Sequence, residues 1–190
     1  MNYYKQMVLR YGKVLPNNIL LLDSIINHQV DSVLMLKIGE DFKKMAEMEK
    51  ITKIVTIESS GIAPALMTSL VMKLPLVFAK KYSEKTKKED FYMNSVHSYT
   101  KDITFNVGIK KEFISPSDNI LIIDDFLARG HSMIGLINII KKSKANIKLI
   151  GIIIEKIFQN GGKELKKRGY KYKSLVKIKS LKNNKVVFED

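Results

Sequence analysis

The sequence contains no cysteine, which excludes disulfides, thiol nucleophiles and thiolate metal sites. It also lacks any apolar run approaching the roughly 20 residues that a membrane-spanning helix needs. The first residues, Met1 to Lys5, do not form the apolar core of a signal peptide. At 190 residues, 45% of them hydrophobic, the chain can form one domain with a substantial core. These features predict a single-domain cytoplasmic protein.

Arginine is scarce, although the chain carries a formal net charge of +14. Only three of the 33 basic residues are Arg (Arg10, Arg129 and Arg168), and all the others are Lys. Arg is the residue that suits planar, bidentate contacts to bases and phosphates. The basic segment 156–185 could be a nucleic-acid surface or a solvated lysine-rich face, and the scarcity of Arg favours the solvated face. The positive charge would still attract small phosphorylated anions.

Short apolar runs alternate with amphipathic segments, which predicts an α/β protein with a mostly parallel central sheet. Buried strands are predicted at 54–57, 76–79, 120–123 and 147–154, and further strands at 104–109, 173–178 and 185–188. Helices are predicted at 2–11, 31–50, 62–73, from 133 onward, and between 161 and 169. Residues 80–101 carry charge clusters and little apolar pattern. We expect their first half to be a mobile surface loop at the tip of a hairpin that returns through 104–109.

Apolar periodicity also predicts which sides of two helices face the core. In the helix predicted at 31–50, the expected inward residues are Val33, Leu34, Ile38, Phe42 and Met45. In the helix predicted at 62–73, they are Met67, Leu70 and Val71.

The most informative stretch is 119–132, Asn-Ile-Leu-Ile-Ile-Asp-Asp-Phe-Leu-Ala-Arg-Gly-His-Ser. Its apolar run predicts a strand buried on both faces, and Asp124 and Asp125 follow at the carboxyl end, where open α/β sheets bind ligands. The loop from Ala128 to Ser132 then leads into a helix, whose first backbone N–H groups are free to bind a phosphate. This combination suits a polyhydroxylated, phosphorylated ligand, whereas an acidic pair alone could be a capped turn.

Asp124 and Asp125 are adjacent, and adjacent side chains on a strand point to opposite faces of the sheet. We therefore do not expect the two carboxyl groups to share one proton as a catalytic dyad does. Bending of the backbone at the end of the strand would instead let both contact vicinal hydroxyl groups or a hydrated Mg²⁺.

The stretch resembles the phosphoribosyl-diphosphate (PRPP) signature of the type I phosphoribosyltransferases, a hydrophobic strand, two acidic residues and a small-residue loop ending in Thr or Ser. The resemblance implies a single-domain type I fold with a mobile-loop hairpin and a small base-binding hood built from about residues 1–30 and 155–190. It also implies that Asp124 and Asp125 are catalytic and hold the ribose hydroxyl groups. The residues implied to bind the 5′-phosphate are Ala128, Arg129, Gly130, His131 and Ser132. Arg129 and His131 stand where small residues are common in the family, and Arg129 could contact the phosphate or point to solvent.

The resemblance extends to the turn Glu58-Ser59-Ser60-Gly61, which follows the strand predicted at 54–57. In the family this turn binds the pyrophosphate of PRPP and often contains a non-proline cis peptide, which we expect near Glu58 to Ser60. The basic residue Lys81 is likewise implied to reach the pyrophosphate. Without the resemblance, these segments would be an ordinary turn and a solvated lysine.

Three segments, 20–29, 53–65 and 154–159, resemble the branch of the family that acts on the purine xanthine. The xanthine-binding residues that this resemblance implies are Leu20, Asn27, Lys156 and Phe158. From the residues alone, Leu20 would be a core residue, and Phe158 could stack on a base or pack in the core. Ser98, Tyr99, Thr100 and Lys101 resemble the end of the family's mobile catalytic loop, which would exclude water from the reaction.

The resemblance implies an enzyme that transfers 5-phosphoribose from PRPP to xanthine. It implies a homodimer and a Mg²⁺ ion held mainly by PRPP and water, without a dedicated protein site. One alternative is an enzyme that acts on hypoxanthine or guanine. Another is a PRPP-binding purine regulator that binds DNA without catalysis. Such regulators carry an added winged-helix domain, for which the roughly 18 residues before the first matched segment are too few.

Overall fold

The computed structural model describes residues 2–82, 88–98, 103–182 and 185–189. The helices are α1 (Tyr3–Tyr11), α2 (Ser32–Met45), α3 (Ile62–Met72), α4 (His131–Lys142) and α5 (Gly161–Lys167). The strands are β1 (Lys13–Leu15), β2 (Ile19–Leu21), β3 (Lys53–Ile57), β4 (Leu76–Tyr82), β5 (Phe91–Ser98), β6 (Ile103–Lys110), β7 (Asn119–Leu127), β8 (Asn146–Lys156), β9 (Tyr172–Lys182) and β10 (Lys185–Phe188). Among the residues described, no helix is both long enough and apolar enough to span a membrane.

A sheet of eight strands lies at the centre, in the order β10-β9-β8-β7-β3-β4-β6-β5. The five central strands, β9, β8, β7, β3 and β4, run parallel to one another. β10 pairs antiparallel at one edge, and the β5–β6 hairpin pairs antiparallel at the other. β1 and β2 form a separate two-stranded hairpin. The predicted α/β fold with a mostly parallel sheet is confirmed.

The strand β7 is buried on both faces, as its continuous apolar run predicts. Ile120 and Ile122 pack in the core cluster that includes α4, whereas Leu121 and Ile123 pack in the cluster that includes α1 and α2. All four side chains are 0% exposed. This double burial holds the carboxyl end of β7 rigidly in the middle of the sheet.

The segment 80–101 is more regular than the sequence suggests. β4 continues to Tyr82, and a short 3₁₀ turn at Lys88–Asp90 leads into β5. The expected loop over the first half of this segment is therefore wrong at Lys80 to Tyr82 and from Lys88 onward. The returning strand at 104–109 is confirmed within β6, which pairs with β5 from Phe91 to Ser98. The first half of the segment precedes this hairpin, so its predicted place at the tip is wrong. Backbone pairing with β6 forms the polar strand β5, and such pairing leaves no apolar pattern in the sequence.

Two residues expected in the core face outward. Val33 is 74% exposed on α2, and Leu70 is 64% exposed on α3, where Leu66 is also 52% exposed. α3 has apolar residues on all sides, so periodicity alone cannot identify the side that packs on the sheet.

Asp118 links the start of β7 to the start of β3 through hydrogen bonds. Its Oδ2 atom accepts hydrogen bonds from Lys53 Nζ and from the Ser115 backbone N–H, both at 2.7 Å. Its Oδ1 atom accepts a third from Thr52 Oγ1 at 3.2 Å. Burial alone would raise the pKa of Asp118, but the hydrogen bonds from Lys53 and Ser115 outweigh it and lower the pKa below its usual value. The ionised carboxylate is therefore the form that stabilises the fold.

Replacing Asp118 with Asn should lower the free energy of unfolding by about 2 kcal/mol at pH 7, because Lys53 loses its charged partner. Stability from a carboxylate with a lowered pKa is present above the pKa of the unfolded state and is lost as the pH falls through the folded-state value. The difference between wild type and Asp118→Asn should therefore shrink in acid. Urea unfolding at a series of pH values measures both effects.

Glu112→Gln is the matched control, because Glu112 pairs with Lys110 where both side chains are at least half exposed. This change should alter the free energy of unfolding by less than about 0.5 kcal/mol. Equal losses in the two variants would contradict the role given to Asp118.

Candidate functional site

Three neighbouring parallel strands, β8, β7 and β3, end at the same edge of the sheet. β7 carries Asp124 and Asp125 near its end, β3 leads into the turn 58–61, and β8 ends at Lys156. The carboxyl edge of a parallel sheet is where α/β proteins bind ligands. The fold therefore gathers the predicted acidic, pyrophosphate and base segments at one edge.

The acidic pair is buried, and its two carboxyl groups interact. Asp124 is 5% exposed, and its Oδ1 atom accepts a hydrogen bond from the Asp125 backbone N–H at 3.0 Å. Burial first, and the charge of Asp125 second, raise the pKa of Asp124 well above its ordinary value. Burial also raises the pKa of Asp125, against hydrogen bonds from Asp124 and Ser60 that lower it.

The expectation that these two side chains diverge is wrong. The two carboxyl groups lie close enough for each to shift the pKa of the other. The reason is local: the Asp124 side chain turns along the chain to reach the Asp125 N–H, so it does not stand perpendicular to the strand. Burial therefore disfavours the ionised form of the pair, and positive charge on a bound ligand would favour it.

The turn 58–61 lies directly against the acidic pair. A Cβ atom placed on Gly61 would overlap with Thr56 Oγ1 and would lie 3.1 Å from Asp124 Oδ1. On the other side, the Glu58 carboxylate accepts a hydrogen bond from the Lys81 backbone N–H at 2.6 Å. The peptide bond between Glu58 and Ser59 is cis, which confirms that expectation. Sequence reasoning missed Thr56, because a Thr within a strand carries no signal of its own.

The loop 128–132 leads into α4, and the first residue of α5 holds it by a hydrogen bond. Gly130 has a φ of 85°, a left-handed conformation that glycine adopts without strain. The Ala128 carbonyl accepts a hydrogen bond from the Gly161 backbone N–H at 3.0 Å. A Cβ atom on Gly161 would overlap with that same carbonyl oxygen. The loop therefore presents its backbone at a helix N-terminus, as an anion site requires, and its shape depends on a glycine about 30 residues away in sequence.

Lys156 lies beneath the tip of the β1–β2 hairpin. Its Nζ atom donates a hydrogen bond to the Asn18 carbonyl at 3.0 Å and lies 5.3 Å from the centre of the Phe126 ring. Burial lowers the pKa of Lys156, and the negative charge of Asp125 opposes that shift. Sequence reasoning missed Phe126 and the hairpin tip. The run Pro16-Asn17-Asn18 could have identified the tip, because Asn is one of the residues that favour tight turns.

A cavity of about 490 Å³ joins these parts. It is lined by Asn17 to Ile19 at the hairpin tip, by Asp124, by the whole loop from Ala128 to Ser132, and by Lys156. The structure thus brings an acidic group, the loop 128–132 and the half-buried Lys156 ammonium group to one space. Arg129 and His131 are exposed at its rim.

The other three residues predicted to contact the base do not line this cavity. Leu20 is 4% exposed and packs in the hydrophobic core. Asn27 is exposed, and its side-chain amide donates to Asp23 Oδ1 at 3.3 Å. Neither residue lines the 490 Å³ cavity. Phe158 packs partly against the core and lines a neighbouring cavity with Arg129 and His131. Their roles as base contacts stay predictions.

Only one of the four residues predicted to end the mobile loop is described by the structure. Ser98 ends β5, and Tyr99, Thr100 and Lys101 fall outside the described residues. Lys81 is exposed on β4, and its backbone is held by Glu58.

Gly161→Ala should weaken binding of ribose 5-phosphate at least tenfold, because the added methyl group must push the Ala128 carbonyl and the loop out of place. Isothermal titration calorimetry measures the affinity. Gly169→Asn is the matched control, since Gly169 ends the same segment in open space at a φ of 79°, which Asn tolerates. Unchanged affinity in Gly161→Ala would show that α5 does not shape the loop.

Comparison with known proteins agrees with this geometry. The phosphoribosyl transferase domain family matches residues 34–189. The chain is 46% identical over 189 residues to the xanthine phosphoribosyltransferase of Ligilactobacillus salivarius, covering 100% of this chain and 98% of the relative. It is 47% identical over 188 residues to the xanthine phosphoribosyltransferase of Limosilactobacillus reuteri, covering 99% and 98%.

Solved structures show the same fold at low sequence identity. The adenine phosphoribosyltransferase of Thermoanaerobacter pseudethanolicus matches with a TM-score of 0.77 at 18% identity, over 92% of this chain and 99% of that chain. The enzyme of Giardia lamblia, solved with 9-deazaadenine, matches with a TM-score of 0.77 at 16% identity, over 93% and 98%. These two likenesses establish the fold, and the family match and the full-length relatives establish membership: the chain belongs to the type I phosphoribosyltransferase family.

Proposed function

We propose that this chain is a xanthine phosphoribosyltransferase, which transfers the 5-phosphoribosyl group of PRPP to xanthine and forms xanthosine 5′-monophosphate (XMP) and pyrophosphate. The observation that carries the proposal is that Asp124, the loop 128–132 and Lys156 all line the same cavity. Full-length similarity to relatives named xanthine phosphoribosyltransferase supports the choice of base.

The ribose 5-phosphate half of PRPP suits the end of β7 and the start of α4. The loop backbone N–H groups and the Ser132 hydroxyl would bind the 5′-phosphate, with the positive end of the helix dipole behind them. Asp124 and Asp125 would accept hydrogen bonds from the ribose hydroxyl groups. Because the reacting ribose gains positive charge as its bond to pyrophosphate breaks, the same carboxylates would stabilise the transition state.

The pyrophosphate half suits the turn 58–61 and Lys81. The Glu58 carboxylate already holds the Lys81 backbone, so the turn and the basic residue are joined before any ligand binds. Ser59, Ser60 and Gly61 would supply hydroxyl and backbone donors to the leaving group.

Mg²⁺ fits this site as a partner of the substrate. Among the described residues, no group of three or more His, Cys, Asp or Glu side chains is placed to hold a metal ion. The carboxylates of Asp124 and Asp125 are the oxygen donors near the cavity, and Mg²⁺ commonly combines one or two carboxylates with substrate phosphates and water. Bound in this way, Mg²⁺ would neutralise negative charge on the pyrophosphate. The ion and the cytoplasmic location stay predictions.

The purine base suits the space beside Lys156. The half-buried Lys156 ammonium group donates hydrogen bonds and accepts none, so it favours a base that presents a carbonyl oxygen over adenine, which presents an amino group. The Lys156 Nζ atom would exchange its bond to the Asn18 carbonyl for one to the base. The β1–β2 hairpin tip would then cover the base, which is the role expected of the hood.

An exposed apolar strip on α3 supports a homodimer. Leu66 and Leu70 lie one helical turn apart and are 52% and 64% exposed. Two large apolar side chains on one helix face favour burial against another surface. A second copy of the chain is the occupant that we propose.

Incubation with PRPP, Mg²⁺ and each purine base tests the activity. We expect kcat/KM for xanthine to exceed that for hypoxanthine and guanine by more than about tenfold, or roughly 1.4 kcal/mol of transition-state binding. Preference for hypoxanthine or guanine would assign the chain to the enzymes for those bases. Salt-sensitive, sequence-specific DNA binding without turnover of any base would instead identify a regulator.

Asp124→Asn should lower kcat by about 100-fold or more, because an amide carries no negative charge to oppose the charge on ribose. The same change should raise the free energy of unfolding by about 1 kcal/mol at pH 8, since no carboxylate has to ionise in a buried site. A raised folded-state pKa means that stability is lost as the pH rises, so the gain should vanish near pH 4, where the unfolded carboxyl group is also protonated.

Activity assays and urea unfolding at both pH values measure these effects. Glu47→Gln, at an exposed position remote from the cavity, is the control and should change neither quantity. A loss of stability in Asp124→Asn at pH 8 would refute the raised pKa of Asp124.

A further inference from the structure

Two buried side-chain oxygen atoms in the described part of the chain have no hydrogen-bond partner, Thr56 Oγ1 and Gln159 Oε1. A buried acceptor without a partner costs about 1–3 kcal/mol, so such atoms are rare and often serve a ligand. Thr56 lies behind Gly61, against the acidic pair. Gln159 has no role in the site described above.

Gln159 lies where three cavities meet. It lines the cavity that contains Asp124 and Lys156, and it also lines two neighbouring cavities that share Arg129 and His131. It ends a short 3₁₀ turn, Ile157–Gln159, that begins directly after Lys156. Its side chain therefore borders both the base region and the phosphate loop.

The turn that carries Gln159 is fixed at its carboxyl end. The Asn160 N–H donates to the Ile157 carbonyl at 3.2 Å, and the Gly161 N–H donates to the Ala128 carbonyl at 3.0 Å. The first bond closes the turn, and the second ties the backbone next to Gln159 to the loop 128–132. A side chain on a backbone held in this way can contact a ligand while the loop keeps its conformation.

Because Gln159 Oε1 is an acceptor, the ligand group that it contacts must carry a hydrogen to donate. Phosphate and pyrophosphate oxygens are largely ionised at neutral pH and offer few hydrogens, and the ribose hydroxyl groups have Asp124 and Asp125 as acceptors. The donors that remain lie on the base. The N1–H group is common to xanthine, hypoxanthine and guanine, and guanine adds an amino group at C2. Xanthine carries a hydrogen on N3, whereas hypoxanthine and guanine present a bare ring nitrogen there. An acceptor that faces N3 would gain a hydrogen bond from xanthine and none from the other two.

We infer that Gln159 contacts the base, that its Oε1 atom accepts the N3–H group of xanthine, and that it thereby selects xanthine over hypoxanthine. The inference deepens the proposed function and rests on it. A polar group matched to one ligand hydrogen discriminates strongly against an analogue that lacks the hydrogen, because the buried acceptor then stays unpaired.

Gln159→Met tests the inference, because Met has a similar length and volume but no amide. We expect kcat/KM for xanthine to fall about tenfold, with kcat/KM for hypoxanthine and KM for PRPP within about twofold of the wild type. The selectivity for xanthine over hypoxanthine should therefore fall about tenfold. Gln6→Met, at an exposed position on α1, is the matched control and should leave all of these constants unchanged.

Three results would overturn the inference. An equal loss with both bases would show a general packing role, and a rise in KM for PRPP alone would place Gln159 on the phosphate. Unchanged constants would show that Gln159 does not contact the base. If Gln159→Met does not fold, Gln159→Ala also removes the acceptor and is held to the same expectations.

Calorimetry separates this inference from the proposed function. At a pH low enough for XMP to keep its N3 hydrogen, the wild type should bind XMP more tightly than inosine 5′-monophosphate. Gln159→Met should lose that difference while binding ribose 5-phosphate normally. A wild type that binds ribose 5-phosphate but gains nothing from the xanthine base would refute the proposed function and the inference with it. A variant that keeps the preference for XMP would refute the inference alone.

Discussion

Two carboxyl groups are buried side by side at the end of β7, and the surrounding structure holds them there. Burial and mutual repulsion raise the pKa of Asp124, so the ionised pair is unfavourable without a ligand. The position persists because β7 is packed on both faces and cannot move to expose its end to water. A cationic transition state would relieve this cost, which links the burial of the pair to its proposed chemistry.

The other parts of the site are positioned by contacts between distant segments. Gly161 fixes the Ala128 carbonyl, the Asn18 carbonyl holds Lys156, and Glu58 holds the backbone of Lys81. In each case a backbone group is one of the partners. Backbone contacts of this kind depend on the path of the chain, and they tolerate change in many of the side chains around them.

Different kinds of protein group would bind the phosphates and the base. Phosphate groups would meet backbone N–H groups at the start of α4 and in the turn 58–61, where binding depends on chain geometry. The base would meet side chains, namely Lys156 and, as we infer, Gln159. Selectivity among purines would therefore change through substitutions near the end of β8, while the phosphate sites stay as they are.

The sequence by itself determined the α/β class, the strand β7 and the acidic and loop residues 124–132, because continuous apolar runs and turn residues report local structure directly. Only the tertiary structure decided that β5 is a strand, that Val33 and Leu70 face outward, and that Asp124 and Asp125 interact. It also decided that Asn18, Phe126 and Gln159 border the site. Each of these depends on which segment packs beside another, and a hydrogen bond or a burial between residues far apart in sequence leaves no periodic signal along the chain.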